Sequence, residues 1–221
     1  MAPRRATAAQ PKRIPADLPE DSEDLSPVEP AAFLTALPLE DALVKGAELA
    51  GETLPELTLT GVILEGVTLA RATVRATRLR DVRLVQCDLS NAVLRGMEAH
   101  RVEFIDCRLL GMKAIECRWQ DVLVENCDAR YAQFNSGAAH CCEFKKTRLD
   151  EADFRGTNLD GTIFPESVLR RAELSGANLH AVNFRGADID GMVVRPGDLR
   201  GALVTPPQAM ELARLLGLVI G

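Results

Sequence analysis

Residues 147–191 read TRLDE ADFRG TNLDG TIFPE SVLRR AELSG ANLHA VNFRG ADIDG. Cut into fives, every group carries Leu, Phe or Ile third and a small uncharged residue first, and Gly recurs fifth. Helices repeat at 3.6 residues and flat strands at 2.0, so a sustained five fits neither. It calls for a short extended piece and a turn, repeated, and an internal repeat of this kind decides the fold before any local propensity does. The same frame runs without insertion from Leu64 to Leu199. Taking every fifth residue gives 28 positions, all apolar, among them Ala99, Ala114, Trp119, Ala129 and Ala139 and six of the seven Phe. At 47% apolar overall, chance would produce this about once in 10⁹ trials per register. A second series two residues earlier (Val62, Val67, Ala72, on to Met192 and Gly197) carries no charge, so the 40 charges of residues 62–201 fall on the other three positions. Two residues of each quintet therefore face inward and three face water. Gly two residues after the centre, as at Gly66, Gly156 and Gly176, marks a turn position that needs positive φ.

The units AELSG (172–176), ANLHA (177–181), ADFRG (152–156) and ADIDG (187–191), with the Cys variants CDLSN (87–91) and CRLLG (107–111), resemble the pentapeptide-repeat family, whose motif is Ala-(Asp/Asn)-(Leu/Phe)-X-X. The resemblance covers about residues 42–204. It implies an all-β fold, a right-handed quadrilateral β-helix with four pentapeptides per 20-residue coil. The sequence adds support of its own for a coil of 20. On that spacing Trp119 falls between Ala99 and Ala139, with Leu79 and Leu159 beyond, and a close-packed interior needs such volume compensation. Cys87, Cys107 and Cys127 stack on the same interval. About eight such coils at ~4.8 Å make a rod roughly 38 Å long.

The ends read differently. Residues 1–30 hold six Pro and, between 17 and 24, Asp17, Glu20, Asp21, Glu23 and Asp24, a composition that predicts a disordered tail, and 31–41 (AAFLTALPLED) predict a strap or short helix over the first coil, so that 1–41 form an N-terminal tail and strap. In 205–221, Thr205-Pro206-Pro207-Gln208 reads as a capping box with Pro at N1, opening a helix that Gly217 can stop. That helix is apolar enough either to plug the last coil or to pair two rods into a homodimer.

Composition narrows the function. The start is basic but runs into Pro and acids rather than an apolar stretch, and no run of 18 apolar residues exists, so neither a secretory signal nor a membrane span is expected. Six Cys in such a chain fit reduced thiols and a cytoplasmic location. The net charge of −6 lies wholly in residues 1–61, which carry 11 acids and 5 bases, whereas 62–201 are balanced. No face of the solenoid is acidic or basic as a whole, which argues against direct nucleic-acid binding. His100, His140 and His180 share one column with Asp160, so His140, Asp160 and His180 are candidates for a weak metal site; no frame of residues suggests catalysis, and no catalytic, cofactor or established metal site is assigned. Cys141 falls on an outward position and is the thiol expected to react, and Tyr131, at a corner, is a candidate anchor for a partner. The sequence thus predicts a non-enzymatic protein–protein interaction scaffold of unidentified partner. The resemblance supplies an alternative, since some family members are similar to duplex DNA in shape and charge, bind DNA gyrase and give quinolone resistance. Against that stands the balanced charge of the solenoid.

Overall fold

The computed structural model describes residues 11–19, 22–54, 56–216 and 218. In space the period of five becomes a period of twenty. Leu43 pairs in parallel with Ile63, and the column continues through Arg83, Glu103, Leu123 and Glu143. Single bridges extend it through Ile163 and Asn183 to Leu203. Each step is four quintets, so the chain is a parallel β-solenoid whose backbone hydrogen bonds run from coil to coil. Leu69 N–H, for example, donates to the Asp88 carbonyl at 2.7 Å, and Asp88 N–H donates to the Val67 carbonyl at 3.0 Å.

Local sequence sets the shape of each side. Three eight-residue strands, Thr58–Glu65, Arg78–Val85 and Glu98–Ile105, run through a corner in the β-branched and arginine-rich first half. Beyond Glu143–Lys145 the strands shrink to isolated bridges between turns. There an Asn or Asp before the centre accepts the N–H two residues on, as Asn158 does from Asp160, Asn178 from His180 and Asp188 from Asp190. Such side chain-to-backbone turns compete with extended pairing. Gly156, Gly161 and Gly176 take positive φ at the corners as their spacing requires, and the same corner holds non-glycine residues such as Asp81, Asn91 and Tyr131 at φ 53, 56 and 59.

The interior follows the two inward series. Every centre from Leu64 to Val194 is buried, and Leu199 is partly so. Phe144, Phe164 and Phe184 stack face to face at 5.2 and 5.4 Å up one side, Phe134 and Phe154 at 4.8 Å up the opposite one, and the two columns meet edge to face across the bore. Trp119 pairs with Ala99 on one side and Ala139 on the other, and its ring fills the space they leave, stacked on Phe104 and Phe144. Most small polar residues in the second series are satisfied by the coil before, although the buried Thr77 hydroxyl has no partner. Thr147, Thr157, Thr162 and Ser167 each donate to the carbonyl 23 residues earlier at 2.6–2.9 Å, and Cys87, Cys107 and Cys127 make the weaker thiol version at 3.4–3.5 Å.

Both open edges are covered. Strand Ser26–Val28 pairs in parallel with Ala42–Val44, and Phe33, the one Phe outside the repeat register, is fully buried over the first coil behind the 3-10 turn Pro30–Ala32. The expectation of a disordered first 30 residues therefore fails for 11–19 and 22–30, because composition does not register the carboxylates and edge carbonyls that wait on the solenoid to receive this segment's N–H groups. Residues 1–10 lie outside the described part. At the other end α1 (Pro206–Ala213) begins with the expected capping box: Thr205 N–H donates to Gln208 Oε1 at 2.9 Å, and Gln208 N–H donates to Thr205 Oγ1 at 3.4 Å. Gln208 does more than cap. Its Nε2 donates to the carbonyls of Phe184 and Ala187 at 2.7 and 2.8 Å, latching the helix onto the last coil. A 3-10 turn Arg214–Leu216 ends the helix, and the expected stop at Gly217 lies outside the described residues.

Two substitutions test this packing. Trp119→Ala should cost about 3–5 kcal/mol in chemical denaturation, since its alanine neighbours cannot close the gap; a loss under about 1 kcal/mol would contradict the interior placement. Gln208→Leu should cost about 1–3 kcal/mol by taking the donor from the Ala187 carbonyl and leaving the Phe184 carbonyl with the Ala187 N–H alone, and an unchanged midpoint would show that the helix is not a latch.

Candidate functional site

The outward positions form vertical columns, and their side chains interact with those 20 residues away. Lys45 pairs with Glu65 at 2.8 Å, Arg83 with Glu103 at 2.9 Å, Arg118 with Glu98 at 3.2 Å, Lys145 with Glu125 at 2.7 Å and Arg171 with Glu151 at 2.6 Å. Opposite charges thus meet and cancel between adjacent coils at these five pairs. Tyr131 stands exposed at its corner, in the same column as the Glu151–Arg171 pair.

The histidine column is partly assembled. The Asp160 carboxylate lies between two imidazoles, with His180 Nδ1 at 2.7 Å from one oxygen and His140 Nδ1 at 3.4 Å from the other. Both Nδ1 atoms are turned to the carboxylate rather than toward a common point. Among the described residues no group of three or more His, Cys, Asp or Glu is arranged to hold a metal ion. His100, two coils before His140, does not join them, and its Nδ1 is buried without a partner.

Burial at outward positions exposes what the repeat pattern missed. Asp81, Glu103, Asp121, Leu123 and Cys141 should be exposed by register, yet all are buried. They occupy two adjacent columns at one corner, and the cover is the extended segment 11–17. Ile14 N–H donates to Asp121 Oδ1 at 3.0 Å, Ala16 N–H to Glu103 Oε1 at 3.4 Å and Asp17 N–H to Asp81 Oδ1 at 2.9 Å. The Arg13 guanidinium reaches Glu103 at 3.3 Å and Glu143 at 3.9 Å. Pro11 and Cys141 Sγ crowd the point above Gly161 where a side chain would start, at 2.6 and 3.6 Å, so a glycine corner is needed there. The expectation that Cys141 is the reactive thiol is corrected accordingly: it is 7% exposed, and burial raises its pKa. Burial also pushes Cys142 up to about 12 and Cys117 to about 11. Sequence reasoning missed the acidic corner because charge was summed over whole faces. The available signal was the basic Pro11–Pro15 stretch inside an otherwise acidic tail.

Two family models match the chain, one for a pentapeptide repeat region over residues 77–154 and one for pentapeptide repeats, in eight copies, over 147–186. The chain belongs to the pentapeptide-repeat family. Solved structures similar to this pentapeptide-repeat protein include full-length QnrB1, a plasmid-mediated fluoroquinolone resistance protein, at 17% identity and TM-score 0.46, covering 87% of this chain and 95% of that one. HetL, a pentapeptide-repeat protein involved in heterocyst differentiation regulation from the cyanobacterium Nostoc, aligns at 19% identity and TM-score 0.32 over 78% of this chain and 92% of its own. Rfr23, from the cyanobacterium Cyanothece, aligns at 15% and 0.26 over 78% and 96%. No curated protein sequence matches. No helix among the described residues is long and apolar enough to cross a membrane.

Asp81 anchors the covered corner of this pentapeptide-repeat protein. Burial opposes its ionised form, but hydrogen bonds from Arg101 (2.6 Å) and from Asp17 N–H, with the Arg101 charge, outweigh it and hold its pKa below the ordinary 3.8. A depressed folded-state pKa gives stability that is whole above about pH 3.8 and disappears as pH falls through the folded value. Wild type and Asp81→Asn should therefore differ by about 1–3 kcal/mol at pH 7, and the gap should shrink as the pH is taken below the ordinary carboxylate value of 3.8 and through the depressed folded one. An equal gap at both ends of that range would remove the linkage.

Proposed function

We propose that this protein is a non-enzymatic scaffold that presents a rigid, charge-balanced surface to another protein. The observation that supports this reading best is the pairing of outward charges between coils. Many of these side chains are held by a partner 20 residues away, and others by one two or three residues along the same coil, on a backbone that is itself hydrogen-bonded coil to coil, so much of the surface is a fixed pattern that costs little ordering on contact. Tyr131, exposed beside the Glu151–Arg171 pair, supplies the large, stiff anchor that such surfaces use. The same pairing weighs against the DNA-mimicking gyrase reading. Glu65, Glu98, Glu103, Glu125 and Glu151 are each neutralised by a base on the adjacent coil, so they do not sum to a DNA-like field. The metal reading of His140, Asp160 and His180 is weakened by the commitment of both Nδ1 atoms to the carboxylate.

Affinity capture from the native cell extract tests the proposal. A specific partner should be retained by the wild type and by His180→Ala, and lost with Tyr131→Ala. Retention by Tyr131→Ala would move the interaction elsewhere. In a gyrase supercoiling assay, micromolar protein should neither inhibit nor protect, and clear inhibition would replace the scaffold reading with the gyrase one.

A further inference from the structure

The segment 11–17 is attached to the solenoid in an unusual way. A strap that only stabilised the fold would bury its apolar side chains, yet Ile14 is 55% exposed and points away from the corner. The attachment is polar instead. Three main-chain N–H groups and one guanidinium meet carboxylates, with Asp81, Glu103 and Asp121 desolvated beneath them. Polar contacts of this kind trade against water on release, so the segment can leave without opening the apolar bore, which is closed by its own residues.

The spacing fits an extended chain lying across the coils. Asp81, Glu103, Asp121 and Glu143 sit on four successive coils, with Asp17, Ala16, Ile14 and Arg13 against them in order. Three coil steps cover about 14 Å, and four residues of extended chain cover about the same. The corner therefore acts as a ruler for main chain, with one position that selects a cation. Its charge agrees. Four carboxylates outnumber the two guanidiniums among them, Arg83 and Arg101, and the segment brings Lys12 and Arg13. Pro11 and Pro15 hold the occupant near the extended form and lower the cost of ordering it.

We infer that this corner is a docking groove for an extended, proline-flanked peptide bearing an arginine, and that residues 11–17 are its built-in occupant. A partner segment of that chemistry reaches the groove by displacing them. Because the occupant is tethered, it competes at a high effective concentration, and docking is restrained until the occupant is released. The inference rests on the scaffold reading and deepens it. Its test uses a defined peptide, so failure here leaves the Tyr131-dependent capture unaffected.

The probe is a fluorescein-labelled peptide of residues 9–19, titrated against the full-length chain by fluorescence anisotropy. Arg13→Glu in the protein sets like charges against Glu103 and Glu143 and frees the occupant without altering the solenoid. Hydrogen exchange at the Ile14, Ala16 and Asp17 amides reports that release. The peptide should bind the Arg13→Glu protein at least tenfold more tightly than the wild type. That binding should be lost when Glu103→Gln and Asp121→Asn are added, and a peptide carrying Arg13→Glu should not bind. Amides that stay protected in the Arg13→Glu protein would show the segment to be an integral part of the fold and overturn the inference. So would freely exchanging amides with no peptide binding. A concentration-dependent wild-type dimer in sedimentation, dispersed by Arg13→Glu, would make a second copy the occupant and overturn the peptide assignment.

Discussion

The parallel pairing of each residue with the one 20 places along is the constraint on which the rest depends. It satisfies the backbone between coils, as in the Leu69-to-Asp88 and Asp88-to-Val67 bonds, and brings like positions into register. Once that offset holds, an apolar residue at one centre must share space with those 20 before and after it. Trp119 is tolerated because Ala99 and Ala139 are its partners, and the Phe rings stack because they recur at the same interval. The offset also organises the outside, where an acid on one coil finds a base on the next. The cancellation of charge at those pairs is thus a result of register as much as of composition.

How much of this was legible in the sequence depended on whether the information was periodic. The interior was readable residue by residue, because burial repeats every five positions and a single violation would stand out among 28 centres. The helix start was readable because capping chemistry is local to four residues. Gln208 shows where local reading stops. Its part in the capping box follows from its distance to Thr205, but its bonds to Phe184 and Ala187 depend on the last coil presenting two carbonyls, which no window around 208 contains.

The N-terminal segment was misread for a related reason. Low apolar content and many prolines describe a chain that cannot build a core, and 11–17 indeed builds none. It is ordered by a surface made elsewhere, from Asp81, Glu103 and Asp121, whose placement in adjacent columns is fixed only after the coil length is known. The outward register of Cys141 likewise does not reveal that the segment 11–17 lies over it. The histidine column was placed correctly in the fold, but periodicity gives height and face, not which ring atom turns inward to Asp160.

The strap along the acidic corner has a consequence for how such a protein can change size during descent. Duplicating or deleting four quintets leaves every neighbour's environment intact, so these solenoids grow and shrink easily by unequal recombination. Between Asp81 and Glu143 that freedom is lost, because one added turn would carry the last anchor beyond the reach of residues 13–17. Past Gly161 it is kept. The chain thus holds a length standard for its middle and none for its far end, where coils can be added or lost without disturbing the strap.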